Sequence, residues 1–176
     1  PRARVSAALI AFSGLRPESM GNYLGGDGLR LKDFSELHVG ERQVTYEKVP
    51  TIVLIRGTLS KARHRYFTFL PAEGCEYLRE YLELRLRGGE VLSPETAAIG
   101  HLRPSKLSFL RTTKLSWEVK LAIKRAGFTW RPYVLRSYCA TAFDIAESRG
   151  LLSHPWRQFF MGHKGDIEAR YSTNKG

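Results

Sequence analysis

Two short runs constrain this chain most: PTIVLIR at residues 50–56 and YFTFL at residues 66–70. Both are rich in β-branched or aromatic residues, and the polar stretch GTLSKAR separates them. They predict an antiparallel hairpin with positive charge at its tip. Residues 43–47 predict one more strand, giving a three-stranded antiparallel sheet.

Outside residues 43–70 the apolar spacing is helical. Val5, Ala8, Leu9 and Phe12 fall on one helix face, and Gly14 closes the pattern. Pro17 suits the first turn of a second helix. The glycine-rich GNYLGGDGLRLKDF predicts a loop followed by a short segment. Residues 71–87 predict a strong helix with a stripe of Leu78, Tyr81, Leu82 and Leu86, ended by Gly88-Gly89. Residues 93–108 predict a long loop. Thr112 or Thr113 is expected to cap a helix running to Arg125. Pro132 is expected to open another reaching about Ser148, and Ser153 to cap a third that stops before Gly162. Residues 166–171 predict a last helical turn or two. The expected class is α+β, mostly helical with one small antiparallel sheet, as a single domain over residues 1–176.

Twenty-eight Lys and Arg stand against 17 Asp and Glu, a formal charge of +11. That excess favours a polyanionic partner, nucleic acid before an anionic membrane surface. No apolar run is long enough for a membrane helix. The N-terminal PRARVSAALIAFSGL reads as a fragment boundary and a helix, not a targeting segment. Cys75 and Cys139 lack metal-type spacing and fit structural thiols in a reducing cytoplasm.

The chemistry is suggested by five residues in order. Arg16 lies in SGLRPE, Lys61 in SKARHR, Arg136 in YVLRSYCATAF, His163 in FFMGHKGD and Tyr171 in IEARYS. A phenol attacking an anionic phosphodiester needs cations on the non-bridging oxygens and an acid for the leaving oxygen. The planar fork of Arg suits the first task, and Lys can supply the proton for the second. Taken singly, each has a plainer reading: surface arginines, a solvated turn lysine, a loop histidine, a packing tyrosine. Arg63 or Arg65 can equally take the place of Lys61, and Tyr138 reads as core.

Together these pieces resemble the tyrosine recombinase, or phage integrase, family. They look most like its archaeal plasmid and virus branch, and the resemblance covers essentially the whole chain. It implies a tyrosine recombinase catalytic fold. Arg16 and Arg136 would clamp the scissile phosphate and Lys61 would protonate the leaving 5′-oxygen. His163 would hydrogen-bond the phosphate, and Tyr171 would form a 3′-phosphotyrosyl bond. It also implies no metal and no cofactor. The sequence departs from the family where Tyr133 replaces the usual His three residues before the second Arg. Ser19 stands at the usual acidic position, with Glu18 one residue earlier. His163 and Tyr171 are one residue closer than in many bacterial members, so Tyr171 can serve its own or a neighbouring subunit.

Double-stranded DNA is the expected partner. Arg63, Arg65, Arg103, Lys106, Arg111 and Lys114 are candidate contacts, with Lys32, Arg42 and Arg56 as further phosphate candidates. The resemblance implies a homotetramer on DNA. The chain alone is expected to be a monomer lacking the N-terminal DNA-clamping domain, with residues 164–176 loose and Tyr171 displaced. Rival readings are a type IB topoisomerase, which shares this active-site plan, and a non-catalytic basic DNA-binding module.

Overall fold

Helix α1 (Arg2–Ser13) packs against α3 (Ala72–Arg87), α4 (Thr112–Arg125), α5 (Tyr133–Ser148) and strand β4 (Tyr66–Leu70). Its side chains explain that central place. Val5, Ser6, Ala8, Leu9, Ile10 and Ser13 are all buried, so small and apolar residues surround the axis, as a helix with several neighbours requires. Arg2 is held by Glu118 of α4 and by the Gly100 carbonyl at 3.0 Å. The helix stops at Gly14, whose φ of 64° lies in the left-handed region glycine adopts freely. A Cβ there would sit 2.9 Å from Met161 Sδ and 3.1 Å from Cys139 Sγ. Glycine therefore also lets α5 and the end of α6 (His154–Phe160) close in on α1. The structure, a computed structural model, describes residues 1–101 and 105–163. Arg103, Tyr171 and the expected loose segment 164–176 lie outside the described residues.

The predicted hairpin is present. Strand β3 (Thr51–Ile55) pairs antiparallel with β4 from Thr51↔Leu70 to Ile55↔Tyr66. Thr51, Val53 and Ile55 face inward with Tyr66, Thr68 and Leu70. The Thr68 hydroxyl donates to the Ser13 carbonyl at 3.0 Å, pinning β4 to the end of α1. The other face of β4 carries Phe67 and Phe69 into an aromatic cluster with Trp156, Phe159 and Phe160 of α6, with Phe67 and Phe159 centroids 5.1 Å apart. Such edge-on pairs add to the area they bury.

The sheet is divided differently from the expectation. Residues 43–47 do hold a strand, β2 (Val44–Tyr46), but it pairs with β1 (Leu37–Val39), which the sequence did not predict. The strands thus form two two-stranded ladders rather than one three-stranded sheet. The free edge of β3 takes only a bridge, Phe34↔Val53. Three residues hold barely one period of alternation, so β1 leaves no sequence signature. The α+β class, mostly helical with small antiparallel elements, stands.

The helix bounds follow the sequence closely, but the caps do not. Arg111, not a threonine, precedes α4, and the Thr112 hydroxyl donates to the Gly21 carbonyl at 2.6 Å. The threonine ties α4 to the glycine-rich loop instead of closing its own helix. Ser153 precedes α6 without a side-chain cap bond. Tyr138 is not core: it is 63% exposed. Helix α5 buries Arg136 and Cys139, and a residue two places from Arg136 points to another side. The described part of the loop at 93–108 buries Ala97, Ala98 and Ile99 beside the glycine-rich segment, where the Ala98 N–H donates to the Leu29 carbonyl at 2.9 Å.

Gly21 is fixed by close approach. A Cβ there would lie 1.9 Å from the Leu110 carbonyl oxygen, whereas one on Gly26 would meet nothing within 4 Å. Gly21→Ala should therefore lower Tm by several degrees, since forced overpacking costs about 1–3 kcal/mol. Gly26→Ala should leave the melting curve, read by circular dichroism, unchanged.

Candidate active site

Arg16 sits at the junction of α1 and α2 (Pro17–Met20). Leu15 before it is fully buried, and Pro17 after it opens α2, so the chain direction at Arg16 is set from both sides. Arg136 lies one turn into α5 and is only 3% exposed. Its Nη2 donates to the Met161 carbonyl at 2.6 Å, at the end of α6. Its Nη1 is buried and has no hydrogen-bond partner among the described residues. Burial, and then the like charge of Arg16, push the Arg136 pKa below the usual guanidinium value. Among the described residues no carboxylate forms an ion pair with Arg136, although Glu18 lines the same cavity. A guanidinium keeps its proton regardless, so a buried cation here calls for an anion from elsewhere.

Lys61 reaches the same place from the β3–β4 loop. That loop folds back on itself: Leu59 is buried, and its carbonyl accepts from the Ser19 hydroxyl of α2 at 2.9 Å. One cavity of about 370 Å³ is lined by Arg16, Lys61, Tyr133 and Arg136 together. Tyr133 is the first residue of α5 and 71% exposed. Arg63 lines an adjoining cavity with Lys61 and Glu18. Arg65 is exposed on the same loop and borders neither.

His163 follows Gly162, whose φ of 64° turns the chain after α6. Its Nδ1 lies 2.7 Å from the Gln158 side-chain oxygen, which can only accept; Nδ1 therefore carries the proton and Nε2 a lone pair. Desolvation first, then the charges of Arg136, Arg16 and Arg157, lower the His163 pKa below the ordinary imidazole value. The ring is neutral near pH 7. Tyr171 lies outside the described residues.

Sequence reasoning missed two neighbours of the site. Arg131, just before Pro132, lines the cavity and raises its cations to Arg16, Lys61, Arg131 and Arg136 against the carboxylate of Glu18. The signal was the segment WRPY itself, two residues from Tyr133. Tyr66, at the start of β4, feels the charges of Arg136 and Arg16; the inward alternation of YFTFL marked it only as core. The Ser19 hydroxyl is engaged with Leu59, while Glu18 lines the cavity with Oε1 unpartnered among the described residues.

Arg42, Lys106, Arg111 and Lys114 are exposed, with the Lys114 ammonium 4.4 Å above the Trp117 ring. Lys32, also exposed, and half-buried Arg56 each face a carboxylate, as Lys114 does Glu118 at 3.5 Å. Lys32 pairs with Glu95, and Arg56 makes two 3.0 Å bonds to Asp27 in the glycine-rich loop. Burial opposes the Asp27 charge, but the bonds from Arg56, the Gly28 N–H and Thr58 outweigh it and lower the pKa. Among the described residues no cluster of His, Cys, Asp and Glu is arranged to hold a metal, and no helix is long and apolar enough to cross a membrane.

Neither a protein-family model nor a curated protein sequence matches the chain. Solved structures do. XerA recombinase superposes with a TM-score of 0.59 at 18% identity, over 93% of this chain and 55% of that one. XerH site-specific recombinase bound to difH substrate, in a pre-cleavage complex, gives 0.60 at 23% identity over 96% of this chain and 41% of its own. The post-cleavage complex on palindromic difH gives 0.59 at 24%, covering 96% and 40%. The chain thus spans about half or less of the proteins it resembles. At these identities the likeness concerns the fold: the described residues have the α+β fold of a tyrosine recombinase catalytic domain.

Proposed function

We propose that this chain is the catalytic domain of a tyrosine-type site-specific DNA recombinase. It would cleave and rejoin strands through a 3′-phosphotyrosyl intermediate, to integrate or excise a mobile element of the kind carried by archaeal plasmids and viruses. One observation carries the reading. On a recombinase fold, a buried Arg136 with no carboxylate partner among the described residues shares a cavity with Arg16 and Lys61. Converging cations of this kind suit a phosphate.

The chemistry follows from the side chains. Arg16 and Arg136 hold the non-bridging oxygens of the scissile phosphate. The Tyr171 phenol oxygen attacks phosphorus, and the bond to the 5′-oxygen breaks. Lys61 gives that oxygen its proton. The phenol proton passes to neutral His163 through Nε2, directly or by way of the phosphate. Tyr133 hydrogen-bonds the phosphate where related enzymes carry a histidine. One phosphoester replaces another, so no external energy source is needed. Arg63, Arg65, Arg103, Lys106, Arg111 and Lys114 contact backbone phosphates. With one tyrosine per strand, full exchange between two duplexes uses a tetramer.

Three outcomes test this. Tyr171→Phe should abolish a denaturant-resistant protein–DNA adduct on a nicked suicide duplex while leaving DNA binding within about twofold, since one hydroxyl is lost. An adduct in that variant would assign the nucleophile elsewhere, and exchange between two duplexes, as against relaxation alone, separates a recombinase from a topoisomerase. Lys61→Ala should slow cleavage by about a hundredfold or more, the scale for removing one preorganised group. A 5′-bridging thiol leaving group, which departs without a proton, should restore it; rescue of Arg63→Ala or Arg65→Ala instead would move the acid along the hairpin. Because the His163 pKa is lowered, its neutral form persists below the ordinary imidazole range. Cleavage should hold from neutral pH downward through about 6.5 and fall only in more acidic buffer, and His163→Gln should remove that limb from the pH–rate profile.

A further inference from the structure

Tyr66 is only 4% exposed, and its ring packs so closely on Gly162 that a Cβ there would lie 2.5 Å from Tyr66 Cζ. Its hydroxyl is buried and has no hydrogen-bond partner among the described residues. The Ser19 hydroxyl comes near it. Ser19 gives its own proton to the Leu59 carbonyl and keeps lone pairs that could accept, but no hydrogen bond joins the two hydroxyls.

A buried, unpartnered hydroxyl costs folding free energy, and folded proteins rarely keep one without a use. Filling space does not explain this one, because the same strand uses phenylalanine at residues 67 and 69. The surroundings do. The charges of Arg136 and Arg16 both act on the Tyr66 hydroxyl. Arg136 Nη1 is a second buried polar atom without a partner among the described residues. Burial raises the phenol pKa, so the group keeps a proton to donate at neutral pH. The phenol oxygen could accept from Nη1, but no hydrogen bond joins the two; an anion oxygen can accept from both.

We propose that the Tyr66 hydroxyl donates a hydrogen bond to the phosphate held by Arg16 and Arg136, which makes it a substrate-contacting residue beyond the six named from the sequence. The proposal rests on those arginines being the phosphate clamp. Tyr66 acts as a donor in this role, and Tyr171 remains the nucleophile.

The test compares wild type with Tyr66→Phe in the full chain. Inorganic phosphate, set against chloride at equal ionic strength, serves as a probe independent of DNA cleavage. Wild-type Tm should rise with phosphate, and Tyr66→Phe should lose at least half of that rise. Without phosphate the variant should melt at the wild-type temperature or above, since the buried hydroxyl has no hydrogen-bond partner among the described residues to lose. Adduct formation on a suicide duplex should slow by about tenfold or more, the loss of one donor to a developing charge. An undiminished phosphate response in Tyr66→Phe overturns the proposal, whatever its Tm, and assigns the hydroxyl a structural role. No phosphate response in wild type overturns it together with the clamp. A weakened response in the variant, with no adduct from wild type, sustains the Tyr66 contact and overturns the recombinase reading alone.

Discussion

The hydrogen bond from Arg136 Nη2 to the Met161 carbonyl, 2.6 Å long, ties α5, which lines the cavity through Tyr133 and Arg136, to the end of α6. Met161 ends α6, and the last carbonyls of a helix lack partners within it and carry partial negative charge. The guanidinium caps α6 from α5 and half-satisfies its own burial. Its other terminal nitrogen remains without a partner among the described residues. The arrangement works only because Gly14 has no side chain, which leaves room for Met161 and Cys139 against the end of α1. Arg16 lies two residues past that glycine. One close approach thus sets the spacing between the two arginines.

The opposite wall depends on the hairpin. Strand β4 is held between α1, through Thr68 and Ser13, and α6, through the aromatic cluster. Its loop is then folded back by Leu59 and tied to α2 through Ser19. Lys61 is brought to the cavity by that tether, although its own side chain is exposed. Among the described residues, Glu18, Ser60, His64, Tyr66 and Arg136 each keep a buried polar atom unpartnered in or beside these segments. Polar groups left unsatisfied around a binding cavity reduce stability and serve a ligand instead.

Much of this was legible before the structure. Gly14, Pro17, Gly88-Gly89 and Gly162 punctuate the helices as their chemistry dictates, and the β-branched run at 50–56 with YFTFL could pair only as a hairpin. Arg16, Lys61, Tyr133 and Arg136, named from their motifs, do line one cavity. What the sequence hid were the effects of partners distant along the chain. Thr112 had the chemistry of a cap, but α4 already begins at it, and its hydroxyl donates to the Gly21 carbonyl. Arg56 and Lys32 read as free cations because their carboxylates, Asp27 and Glu95, are far away in sequence. Strand β1 was too short to carry a period.

The sequence by itself determined the helices and the hairpin, the excess of positive charge and the order of the chemical groups, because propensity, periodicity and motif spacing act over a few residues. Only the tertiary structure decided which cations converge and which are neutralised. It also decided that Arg136 loses its water without gaining a carboxylate among the described residues, and that the hydroxyl of Tyr66 lies in the field of two arginines. Desolvation and charge coupling depend on distance in space and on the exclusion of water. Neither exists until helices and hairpin have packed around the cavity.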